Sequence, residues 1–265
     1  MARRMALVTG ASAGLGKEFA RQLAAQGYDL ILVARREDAL QMVANAIQSD
    51  YPVEAQTIVA DLCEPGAPQA IARVVESNQW TVDYLVNNAG IAGPDLLQDR
   101  DWSHQQDFFQ LMMLSVAHLC HLFIPAMIQR EFGRVINIAS VAGRIPAAGG
   151  CNYGPSKAYL IALTEDLAKT LAGSGVNASA LCPGYTHTDF HQTAGLQDMK
   201  ETMPAWLWYN ADVVVREGMA AVEKGKPVYL SGRLYRWLDP LFQSVFTRRL
   251  FRAPRRRFKE EPGGS

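Results

Sequence analysis

The chain has 265 residues, 49% hydrophobic and 20% charged, with 26 basic and 26 acidic side chains and a net charge of zero, an ordinary composition for a globular protein large enough to bury a full core. Cys63, Cys120, Cys151 and Cys182 are widely spaced and form no CxxC pair, which sets aside a disulfide framework and predicts free thiols in a cytoplasmic protein. The apolar run after Met1-Ala2-Arg3-Arg4 ends at Val8, too short for a secretory leader, and no stretch approaches the eighteen or so apolar residues of a membrane span.

Short β-rich runs alternate with longer helical patterns, the signature of a parallel sheet with crossover helices. Residues 5–9 read as a first strand and 15–26 as a helix closed by Gly27. Leu30-Ile31-Leu32-Val33 is continuously apolar, as a strand covered on both faces should be. A helix over 37–48 and a strand near 57–59 follow, the latter running into Asp61. Tyr84-Leu85-Val86 is a fourth strand broken by Asn87-Asn88-Ala89-Gly90, and one long helix is expected from about 103 to 130, carrying Pro125 near its end. Residues 135–138 form a fifth strand leading into Ser140, followed by a helix over 153–172 and strands at 176–181 and 228–230. No repeat or linker divides the chain.

Between the first strand and its helix lies Thr9-Gly10-Ala11-Ser12-Ala13-Gly14-Leu15-Gly16. Gly10 allows the tight turn, Gly14 lets the backbone approach a phosphate, and Gly16 lets helix pack on strand. The helix start, from Ser12 and Ala13 through Leu15, offers free N–H groups and a positive dipole end to a dinucleotide pyrophosphate. Three glycines in a loop are weak alone; their place between strand and helix strengthens them. At the end of the second strand an NAD site usually carries an acid for the ribose 2′-hydroxyl, whereas here Ala34 is followed by Arg35 and Arg36. A guanidinium suits a 2′-phosphate, at roughly 1.5–3 kcal/mol per charge-assisted bond, so NADP(H) is expected over NAD(H). The plainer alternative is that both arginines are a solvated helix start.

Tyr153 and Lys157 stand four apart on one helix face, and Ser140 lies thirteen residues before the tyrosine. A free phenol, with a pKa of about 10, is a poor base at neutral pH, and a neighbouring ammonium is expected to bring it down. Ser140 would hold a carbonyl oxygen and stabilise developing alkoxide charge. A Tyr-xxx-Lys pair alone is common and usually structural.

Taken together, the Thr9–Gly16 loop, Asp61-Leu62, Asn87-Asn88-Ala89-Gly90, Ser140, Tyr153-xxx-Lys157 and Pro183-Gly184-x-Thr186 resemble, in order and spacing, the short-chain dehydrogenase/reductase family. The likeness spans nearly the whole chain. It implies a doubly wound, single-domain α/β Rossmann fold and NAD(P)-dependent interconversion of an alcohol and a ketone. It places Asp61 and Leu62 by the adenine, Asn88 near the ribose with Gly90 in the same motif, and Thr186 by the nicotinamide amide after Pro183 and Gly184. Tyr153 becomes the general acid of reduction and base of oxidation, and Lys157 bonds the ribose hydroxyls. Homodimers or homotetramers are expected by the same analogy. Met112 departs from the pattern: it occupies the helix position where the family usually has an asparagine that holds a relay water, which methionine cannot do. A second reading follows from it, a weakly active or inactive dinucleotide-binding regulator or scaffold.

Between 188 and 212 the family covers its substrate, and here the segment holds Phe190, Leu196, Met199, Met203, Trp206, Leu207, Trp208 and Tyr209. That set predicts a small hydrophobic carbonyl or alcohol substrate, unless half of it packs against the body. His118-Leu119-Cys120-His121 and His187-x-Asp189-x-His191 have metal-like composition without further ligands at sensible spacing, so no metal is expected. The domain is expected over 1–232, with a basic amphipathic extension over 233–265. From Arg233 to Lys259 nine basic residues face one acid, Asp239. Asp239-Pro240 is read as the cap of a helix through Phe251 that packs on the body or a partner, or lies peripherally on an anionic membrane. The aromatic residues read as a helix face and not as stacking platforms, so no nucleic acid is expected.

Overall fold

The computed structural model describes residues 3–144, 151–187 and 208–244. In chain order these form β1 (Met5–Thr9), α1 (Gly14–Ala25), β2 (Asp29–Ala34), α2 (Glu37–Asp50), β3 (Ala55–Val59), α3 (Ala67–Ser77) and β4 (Val82–Asn87). Then come α4 (Trp102–Phe109), a π-helical turn (Gln110–Leu114), α5 (Ser115–Gln129), β5 (Gly133–Ile138), α6 (Tyr153–Thr170) and β6 (Val176–Cys182). The two-residue strands β7 (Thr186–His187) and β8 (Tyr209–Asn210) precede α7 (Ala211–Glu223), β9 (Val228–Leu230) and α8 (Arg233–Gln243).

Seven strands make one parallel sheet in the order β3-β2-β1-β4-β5-β6-β9. The order reverses between β1 and β4, and at such a switch point the carboxyl ends of neighbouring strands diverge and leave a crevice. Along β1 the period of two is visible in the packing. Ala6 and Val8 join Phe19, Leu23, Leu40 and Val214 on the side of α1, α2 and α7, while Leu7 joins Ile71, Leu119 and Met127 on the side of α3 and α5. Each large apolar side chain so buried contributes roughly 1.5–3 kcal/mol.

The chain forms a single α/β domain with helices on both faces of the sheet, as the alternating pattern predicts. Two helices were not marked from the sequence. Ala67, Ile71 and Val75 give α3 a buried stripe behind Pro68 in its first turn, and Val214, Val215, Met219 and Val222 do the same for α7. The long helix expected over 103–130 is interrupted. At the π turn the Ser115 amide reaches back to Gln110 O, and the Ser115 hydroxyl donates to Leu111 O at 2.8 Å. By length and mean hydropathy, 1.9 over its best window, residues 102–129 would serve as a membrane span, contrary to the expectation above. Their apolar stripe, from Leu111 through Val116, Leu119 and Phe123 to Met127, is spent in the core.

The expected tail helix also differs. It begins at Arg233, six residues before Asp239, so Asp239 and Pro240 lie inside it and cap nothing. Tyr235 is buried against Gly184 and Tyr209, while Trp237 on the outer face is 78% exposed. The rest of the basic extension, 245–265, lies outside the described residues.

Inside the sheet a buried polar chain ties β4, β5 and α6 together. Asn87 Nδ2 donates to Asn137 Oδ1 at 2.8 Å, Asn137 Nδ2 to Thr164 Oγ1 at 2.9 Å, and Thr164 Oγ1 to Leu160 O at 2.6 Å. Asn137→Ala leaves the Asn87 amide only the weak acceptor Cys120 Sγ and takes the donor from Thr164 Oγ1, so unfolding in urea should show a loss of about 1–3 kcal/mol with an unchanged m value.

Candidate active site

At the carboxyl end of β1 the chain must turn sharply beneath the β4 loop. Gly10 has φ +64°, and a Cβ there would lie 2.8 Å from Asn88 Nδ2; one on Gly16 would lie 2.2 Å from Gly10 O. No L side chain fits either place. Asn88 donates from Nδ2 to Thr9 O (2.9 Å) and Gly10 O (3.3 Å), and Thr9 Oγ1 accepts the Asn88 and Ala89 amides. The two loops are therefore one knot. Helix α1 starts from Ala13 with no side-chain cap and no acid in its first turn, leaving its N–H donors and dipole for an anion.

Beyond this cradle, Arg36 Nη2 donates to Ser12 Oγ at 3.4 Å, and the exposed Arg35 places Nη1 3.4 Å from Oδ2 of the half-buried Asp61. Burial pushes the Asp61 carboxyl up, but the Cys63 amide and Arg35 together hold it below its ordinary value. The Leu62 side chain is buried with Ile58 and Ile71, so its contact with any ligand would be through backbone. The unspent helix terminus, the cradle that a Cβ would fill and the two outlying cations fit a dinucleotide.

Ser140 follows β5 with extended backbone, and its Oγ accepts the Ala142 amide at 3.1 Å. Tyr153 opens α6 and hydrogen-bonds Ser140. One turn on, the Lys157 ammonium lies 5.6 Å from the Tyr153 ring centre and donates to Ile138 O at 2.7 Å. The three groups meet at one place, beside the β1–β4 knot. Pro183 O accepts the Val141 amide, the Gly184 carbonyl accepts the Thr186 hydroxyl at 3.1 Å, and the Tyr235 ring fills the space a Gly184 side chain would need.

The electrostatics run against one expectation. Burial raises the Tyr153 phenol above its ordinary value, and the Ser140 hydrogen bond pulls it back only in part. Burial lowers the Lys157 ammonium from 10.5 to about 8, with slight opposition from the Cys182 thiol. Desolvation favours the neutral form of each group, so the phenol is raised where the neighbouring cation was expected to lower it.

Met112 is buried, and its Sδ accepts the Ile91 amide at 3.3 Å while packing against Gly90. The thioether thus braces the loop after Gly90. Of the expected substrate-covering residues, Phe190, Leu196, Met199, Met203, Trp206 and Leu207 lie outside the described residues. Trp208 stacks on His187, and Tyr209 packs by Tyr235, so these two brace the body. Sequence reasoning passed over Asn152, which is buried just before Tyr153 and hydrogen-bonds Gln105 Oε1 and Pro94 O. Its position next to the Tyr-xxx-Lys motif was the available signal.

A family profile described as short chain dehydrogenase matches residues 4–198. The chain belongs to the short-chain dehydrogenase family. It is 33% identical over 199 residues to the 3-oxoacyl-(acyl-carrier-protein) reductase FabG of Escherichia coli K12, covering 74% of this chain and 78% of that one. It is 35% identical over 179 residues to the ketoacyl reductase HetN of Nostoc sp. PCC 7120, covering 68% and 62%. A short-chain dehydrogenase from Sphingobium yanoikuyae, solved in complex with NADPH, superimposes with a TM-score of 0.80 at 26% identity, over 98% of this chain and 99% of that one. A 7β-hydroxysteroid dehydrogenase shares the fold with a TM-score of 0.81 at 22% identity, over 93% and 96%. The protein is thus an oxidoreductase using a nicotinamide dinucleotide.

A Lys157 ammonium with its pKa at about 8 is charged at neutral pH and neutral well above it. kcat/KM for the reduced cofactor, which reports the free enzyme, should therefore fall as pH rises through about 8; a profile flat to about pH 10 would contradict this assignment.

Proposed function

We propose that the protein reduces a hydrophobic ketone to a secondary alcohol with NADPH, and runs the reverse reaction with NADP. The observation that carries this reading is the meeting of Ser140, Tyr153 and Lys157 beside a glycine cradle and an uncapped helix start. When bound, the dinucleotide supplies the hydride that the carbonyl carbon accepts. Its pyrophosphate suits the α1 N-terminus over Gly10–Gly16, and Arg35, Arg36 and Ser12 suit a 2′-phosphate. Asp61, Leu62, Asn88 and Gly90 would line the adenosine side, and Pro183, Gly184 and Thr186 the nicotinamide side.

Ser140 Oγ accepts the Ala142 amide and its hydroxyl bonds the Tyr153 phenol; with substrate in place that O–H would turn to the oxygen that gathers charge. Tyr153, kept protonated by burial, donates its proton to that oxygen. The phenolate left behind would be attracted by the Lys157 ammonium, whose Nζ lies 5.6 Å from the centre of its ring. Lys157, charged at neutral pH, would stabilise that phenolate until solvent returns its proton. In oxidation the same groups act in reverse.

The two ketoacyl reductases among the relatives make a 3-oxoacyl thioester a specific candidate within the ketone class. Free thiols at all four cysteines suit a reducing cytoplasm.

NADPH oxidation should appear by absorbance against a panel of aromatic, terpenoid and steroid-like ketones and 3-oxoacyl thioesters. Tyr153→Phe should lower kcat by about 10²–10⁴-fold. NADPH binding without oxidation across the panel would favour the regulator or scaffold instead. Arg35→Ala should weaken NADPH about tenfold to a hundredfold and leave NADH nearly unchanged, and equal losses would overturn the cofactor preference.

A further inference from the structure

We infer that Arg144 and Asp239 are positioning residues that hold the Ser140 turn in its working place, so that α8 belongs to the frame of the active site. The inference rests on the reading of Ser140 given under the proposed function. Arg144 Nε and Nη2 donate to Asp239 Oδ1 and Oδ2 at 2.7 and 2.5 Å, a fork-to-fork pair with side chains only 18% and 15% exposed. Gln243, one turn further along α8, donates from Nε2 to Arg144 O at 2.9 Å. The helix therefore grips both the side chain and the main chain of one residue. Such a bidentate pair fixes orientation as well as distance.

Arg144 is four residues from Ser140, and the intervening chain is tightly bonded. The Arg144 amide donates to Val141 O, the Gly143 amide to Ser140 O, and the Ala142 amide to Ser140 Oγ. A shift at Arg144 is thereby carried to Ser140. Two other sides of the turn are already fixed. Gly143 lies so close to α6 that a Cβ would come within 2.7 Å of Ala158 N, and the Val141 amide donates to Pro183 O. The third side faces α8.

The grip is firm because α8 is itself anchored. Arg236 reaches Glu217 at 3.1 Å and Leu230 O at 3.0 Å, and Tyr235 is wedged against Gly184.

The test uses the full chain with Asp239→Asn and Asp239→Glu. Asparagine keeps the shape and removes the charge, while glutamate keeps the charge. With NADPH and a ketone that the unmodified protein reduces, Asp239→Asn should lower kcat about tenfold to a hundredfold while KM for NADPH stays unchanged, and Asp239→Glu should recover most of the loss. Hydrogen exchange should quicken at the amides of 141–144 in Asp239→Asn and stay unchanged in β1. An unchanged kcat would overturn the inference. So would a loss shared by KM and by exchange throughout the sheet, or a glutamate variant as impaired as the asparagine one. If the unmodified protein reduces no ketone, the failure falls on the proposed function. Exchange then decides the clamp alone: quickening confined to 141–144 supports it, and no quickening there overturns it.

Discussion

A lysine ammonium held out of water at the edge of a parallel sheet is the constraint around which this molecule is arranged. Lys157 is 5% exposed and donates to Ile138 O. Burying a cation costs free energy unless hydrogen bonds or negative charge repay it, and here the cost shows as a pKa brought down to about 8. Between that value and the unfolded 10.5 the unfolded chain holds the proton more firmly, so the group weakens the fold below about pH 8 and the penalty fades as pH rises. The site thus holds an ammonium ready either to lose a proton or to be met by an anion. Under the proposed function a phenolate on Tyr153 would be such an anion.

The scaffold keeps this arrangement from relaxing. Lys157 is carried on α6, and α6 is fixed at two depths. Thr164 is tied through Asn137 to Asn87 in the middle of the sheet, and Gly143 meets the α6 backbone at contact distance near the sheet edge. Asn88 knots the β1 and β4 loops together and so fixes the base of the glycine cradle. Pre-positioning of this kind moves the cost of ordering from the reaction to folding.

What could be read from the residues was whatever is encoded locally. The β1 strand and glycine loop, the Tyr-xxx-Lys face and the continuous apolar run of β2 each carry their pattern within a few residues, and each was assigned within one or two positions. The tail helix was misplaced because Asp239-Pro240 has the chemistry of a helix start. Its true start at Arg233 is set by tertiary burial of Tyr235 and by an ion pair whose partner lies 95 residues away. The phenol's shift had the wrong sign for a related reason: a nearby cation can be counted from spacing, but the water removed from both groups cannot. The π turn in the long helix was likewise invisible, since its residues, Gln110 through Leu114, have unremarkable helix propensity.

Met112 joins these threads. It lies within the π turn, and its thioether accepts the Ile91 amide, so the loop after Gly90 keeps a partner from this helix without an amide side chain. Bracing the loop and relaying a proton are separable demands, and the thioether meets only the first, since sulfur is a weak acceptor and carries no transferable proton.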